Sequence, residues 1–90
     1  MREASRKVEN GKLVNLELEA SDTIQSVNIR GDFFIEPPQG LEALESSLEG
    51  LSMDADREEY SEALSMVDAD LIGFDRDVLI DLVFEALGRN

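Results

Sequence analysis

The stretch Ile29-Arg30-Gly31-Asp32-Phe33-Phe34-Ile35-Glu36-Pro37-Pro38 constrains this chain more than any other. It holds two of the four phenylalanines and both prolines. Strand signals precede it and helix signals follow it. Val27 and Ile29 approach Gly31 with a period of two, so Gly31 is expected to supply a bulge or bend that lets the run Phe33-Phe34-Ile35 change faces. Adjacent side chains of an extended segment point to opposite faces, so the two rings cannot share one environment. One is expected to join Val14, Leu16 and the helices, the other to face the outer side of the sheet. Pro37 and Pro38 lack amide donors and end strand pairing.

Upstream, residues 1–11 are polar and carry no element signal beyond Glu9-Asn10-Gly11, which reads as a turn before the first strand. From Lys12 onward, Val14, Leu16 and Leu18 alternate with Asn15, Glu17 and Glu19, which predicts a strand with one buried and one wet face. Ala20-Ser21-Asp22-Thr23 reads as a hairpin connection. Ile24 to Arg30 then returns antiparallel, and Phe33–Ile35 extends it or forms a third strand.

Downstream the period changes. Leu41, Leu44, Leu48 and Leu51 predict a first helix with Gly50 as its stop. Asp54 or Asp56 caps a second, with Tyr60, Ala63, Leu64 and Val67 as its narrow stripe. Asp75 caps a third helix that Gly88 ends, and only Asp81 and Glu85 interrupt its apolar surface. A helix so apolar needs neighbours, from its own chain or another. The expected architecture is α+β: a small antiparallel sheet of two or three strands followed by three helices packed on one face, with residues 1–90 forming one domain.

Charge excludes some functions. The net charge is −13, and residues 31–90 carry three basic and sixteen acidic side chains. Such a field repels phosphate backbones and anionic lipid, so neither nucleic acid nor membrane is an expected partner. Scarce lysine beside abundant acid reads as adaptation to a salt-rich cytosol, of the halophilic kind, with an acidic docking surface as the alternative. No stretch resembles a signal peptide or a span of about 20 apolar residues, so a cytoplasmic protein is expected. The absence of cysteine and histidine removes disulfides, thiol chemistry and the commonest general base.

Asp68-Ala69-Asp70-Leu71-Ile72-Gly73 copies the opening of a calcium loop, but Ile72 and Leu79 stand where oxygen ligands are required. Asp68 and Asp70 are read as turn-forming, and no metal is expected. No phosphate-binding glycine loop occurs. Lys7 and Lys12 are the chain's two lysines. Lys12 is either an exposed lysine at a strand start or a group facing an anion.

Taken together, Lys7-Val-Glu-Asn-Gly11-Lys12-Leu-Val, the alternating strand, Ile29-Arg-Gly-Asp-Phe-Phe-Ile-Glu-Pro37 and the leucine-rich helix resemble the C-terminal accessory domain of lipoate-protein ligases. The resemblance is close over residues 7 to about 50 and loose beyond. It implies the two-component arrangement of some archaea, with this chain as the separate small subunit. The catalytic subunit would then hold lipoate and ATP with magnesium, and this chain would bind no cofactor by itself. Its role would be to support activation of lipoate to lipoyl-AMP for protein lipoylation. Lys7, Gly11, Lys12, Gly31, Asp32, Phe33 and Phe34 would contact the partner or the substrate site, and no residue here would be catalytic. Relatives often have two glycines before the lysine, and their domain is not so acidic. The other reading of the residues is an acidic, non-catalytic interaction module, homodimeric through its third helix and unrelated to lipoate.

Overall fold

A computed structural model describes residues 2–8 and 12–89; the turn expected at 9–11 falls outside them. Strands β1 (Arg2–Lys7), β2 (Leu13–Ala20) and β3 (Ile24–Gly31) form an antiparallel sheet in the order β1-β2-β3. Alternation on β2 works as the pattern requires, with Val14, Leu16 and Leu18 all but inaccessible to water. A register shift at Glu19–Ala20 lets Ile24 and Val27, three residues apart, both reach the buried face.

β1 corrects the expectation that the polar opening holds no strand. It is an edge strand that lays the half-buried Ala4 against Leu16 in register and sends Arg6 across to α3. An edge strand with so little apolar side chain to bury leaves no hydrophobic alternation in the sequence.

Gly31 closes β3 with φ of +151°, and a Cβ on it would lie 2.0 Å from the Leu13 carbonyl oxygen. That oxygen accepts the Asp32 N–H at 2.9 Å, so the bend expected at Gly31 depends on backbone approaching backbone. Beyond the bend the chain leaves the main sheet. β4 (Phe34–Glu36) pairs instead with β5 (Asp70–Ile72) in a separate two-stranded ribbon. The Phe33–Ile35 run is therefore not a third strand of the main sheet, and Asp70 lies in a strand rather than a turn. Three-residue strands carry too little pattern to distinguish them from loop.

Three helices cover the inner face: α1 (Gly40–Leu48) against β3, α3 (Arg76–Leu87) against β1 and β2, and α2 (Arg57–Ser65) against both other helices. Asp56 and Asp75 cap α2 and α3, each accepting an N–H at 3.0 Å, and Gly88 ends α3 in the left-handed region. The Arg76 guanidinium gathers the Leu64, Val67 and Ala69 carbonyl oxygens at 2.8 to 3.1 Å. It thereby ties the carbonyl end of α2 to the start of α3. Leu79, Ile80, Leu82 and Val83 of α3 are wholly buried within the chain, so this helix finds its neighbours without another copy. Among the described residues no helix is long and apolar enough to cross a membrane.

Candidate functional site

Lys12 stands where β1 and β2 are joined: its carbonyl accepts the Val8 N–H at 2.8 Å. Across from it lies the loop that leaves β5. Gly73 has φ of +98° there, and a Cβ on it would lie 3.4 Å from the Lys12 Cδ and 3.8 Å from both the Lys12 Nζ and the Phe33 Cβ. The lysine stem therefore lies along bare backbone beside Phe33. Phe33 in turn packs on Phe74 with ring centroids 4.5 Å apart and a 43° tilt. Phe74 is buried at the margin of the core.

Two hollows share Lys12. One, of about 570 Å³, is lined by Arg6, Lys7, Val8, Lys12, Gly73, Phe74, Asp75 and Val78. The other, of about 360 Å³, is lined by Lys12, Gly31, Asp32, Phe33 and Phe34. Six of the seven residues singled out by sequence thus border one pair of hollows at the end of the main sheet where β1 and β3 finish and β2 begins. Gly11 lies outside the described residues.

The charges on these walls are unequally engaged. The Arg6 guanidinium is held by Asp81 at 2.7 Å and by Glu85, and the hydrogen bonds it donates to those two carboxylates raise its pKa. Asp75 spends a carboxylate oxygen on the Val78 N–H. Among the described residues neither Lys7 nor Lys12 takes part in an ion pair. In a chain of net charge −13 the two lysines, with Asp32 and Asp75 on the same walls, leave the site near formal neutrality, and each lysine is suited to meet a carboxylate or a phosphate. The walls carry no histidine and no cysteine, since the chain has neither. Among the described residues no group of three or more acids could hold a metal ion.

The two phenylalanines diverge. Phe33 is half-buried on Phe74, whereas Phe34 is 68% exposed. The inward ring meets Phe74 rather than lying deep against Val14 and Leu16. Arg6, Gly73, Phe74 and Val78 complete the larger hollow and were not singled out by sequence. The available signal was Gly73-Phe74-Asp75, a glycine and an aromatic residue just before a helix cap, in the loop set aside as a failed calcium site.

No protein-family model matches the chain, and no curated protein sequence matches it. Among solved structures it is similar to a chain of an archaeal lipoylation system from Thermoplasma acidophilum, comprising a bi-partite lipoate protein ligase and its E2 lipoyl domain. The TM-score is 0.68 at 21% identity, covering 92% of this chain and 97% of the other. The likeness is one of fold.

Proposed function

We propose that the chain is the accessory subunit of a split lipoate-protein ligase. It binds the catalytic subunit and supports ATP-dependent activation of lipoate to lipoyl-AMP for protein lipoylation. The observation that carries this reading is the fold shared, over nearly the whole of both chains, with a chain of the Thermoplasma lipoylation system. The Gly11-Lys12 and Gly31-Asp32-Phe33-Phe34 motifs suggest the same family independently. The lack of histidine and cysteine fits a chain that leaves the chemistry to a partner. Lys12, with its ammonium beside a hollow, supplies positive charge toward an anionic group at the joint site.

The Thermoplasma system also contains a lipoyl domain, and the two roles separate at the lysines. An accessory subunit enables activation; a lipoyl domain receives the product on a lysine, here Lys7 or Lys12. Purified chain and catalytic subunit are mixed with lipoate, ATP and magnesium. Pyrophosphate release is expected only when both chains are present, and Lys12→Ala should lower it at unchanged affinity between the chains. Equal release from the catalytic subunit alone overturns the proposal. So does a lipoyl mass increment on Lys7 or Lys12.

A further inference from the structure

The β4–β5 ribbon places Phe34 opposite Ile72, Ile35 opposite Leu71 and Glu36 opposite Asp70. Directly opposed residues share a face and successive residues alternate. Phe34, Ile72, Glu36 and Asp70 therefore stand together on one face, and Ile35 and Leu71 on the other. Burial agrees: Ile35 is buried and Leu71 half-buried, whereas Phe34 is 68% and Ile72 46% exposed, and both acids are exposed. Four large hydrophobic residues are exposed among those described, and two of them meet here as one cross-strand pair.

The other half of this face is a pair of like charges directly opposed, an unfavourable arrangement in a strand pair. A guanidinium or ammonium placed over Glu36 and Asp70 turns that repulsion into attraction. A second copy stacked ribbon on ribbon does not supply one, because two such faces oppose four carboxylates within a pair of strongly acidic molecules.

We propose that this face docks the catalytic subunit, which presents an apolar pocket for Phe34 and Ile72 with an arginine or lysine at its rim over Glu36 and Asp70. The identity of the partner rests on the ligase reading above; the chemistry of the surface does not. An exposed aromatic side chain entering a pocket is the usual anchor of such an interface, and the charges set its orientation and salt dependence.

Titration calorimetry against the purified catalytic subunit tests this, at low and high potassium chloride, for the unaltered chain and for Phe34→Ser, Ile72→Ser and Asp70→Lys. Thermal melts of each free chain show whether it folds. Each variant should bind at least tenfold more weakly while still melting as a folded chain, and Asp70→Lys should also show a smaller salt dependence. Met66→Ser, which removes an exposed side chain outside the ribbon, should bind normally. If the unaltered chain does not bind, both the ligase reading and this docking assignment fall. If it binds and the three variants bind equally well, only the docking assignment falls. If the free chain sediments as a dimer that Phe34→Ser dissociates, the face belongs to a second copy and the assignment is overturned.

Discussion

Arg6 of β1 and Asp81 of α3 meet at 2.7 Å across 75 residues of sequence, and the other oxygen of Asp81 holds Arg57 at 2.8 Å. One carboxylate thus ties the edge strand, α2 and α3 together. Burial pushes the Asp81 carboxyl upward, but hydrogen bonds from Arg57 and Arg6 outweigh it and hold the group below its ordinary value. A carboxyl lowered in the folded chain adds stability that is complete above its unfolded value, about 3.9, and is lost as pH falls through the folded value. Asp81→Asn should therefore cost stability at pH 7, limited by solvent screening of side chains about a third exposed to about 1 kcal/mol. The gap from the unaltered chain should shrink as pH drops below about 4. Urea unfolding across that range checks both; a gap that persists undiminished in acid contradicts the ionic account.

Gly31→Ala should be the most damaging single methyl addition in the sheet. The new Cβ would sit 2.0 Å from a backbone oxygen, at a φ of +151° that side chains avoid. The backbone around Leu13 and Asp32 cannot yield without losing their 2.9 Å hydrogen bond. A loss of about 3 kcal/mol is expected, read as a lower urea midpoint. A midpoint within error of the unaltered chain means that the bend tolerates a side chain.

What was legible in the sequence follows from how much pattern each element carries. Val14, Leu16 and Leu18 alternate, and Asp75 and Gly88 bracket α3, so β2 and α3 could be read directly. β1 has only Ala4 to bury, and β4 and β5 are three residues each, so neither length nor period identified them. For the candidate site, the sequence supplied Lys12, Gly31 and Phe33. It could not supply Gly73, Phe74 or Arg6, which reach the same hollows only after the chain has folded. Pairing between distant segments leaves no local trace.

Phe33 and Phe34 should differ in the free chain. Phe34→Ala removes a ring that is 68% exposed and should change stability by less than about 0.5 kcal/mol. Phe33→Ala removes a half-buried ring stacked on Phe74 and should cost about 2 kcal/mol. That is less than the 3 to 5 kcal/mol, roughly, of a fully buried phenylalanine, because part of the Phe33 surface already meets water. Equal unfolding midpoints for the two variants would show that Phe33 is not part of the packed structure.

The acidity carries its own prediction. Sixteen acidic side chains follow residue 30 against three basic ones, and four ion pairs among the described residues engage only Asp77, Asp81 and Glu85 of them. The remaining carboxylates repel one another over a distance set by the ionic strength, with a Debye length of about 30 Å at 0.01 M and about 3 Å at 1 M. A chain whose longest dimension is 33 Å lies almost wholly within that range in dilute buffer. Unfolding moves the charges apart, so low salt favours the unfolded chain. The melting temperature should therefore rise steadily from dilute to molar potassium chloride. Sodium sulfate would strengthen apolar burial as well, so chloride is the salt that isolates screening. A melting temperature independent of chloride concentration would mean that the folded chain tolerates its charge without help from the solvent, and would remove the argument for a saline cytosol.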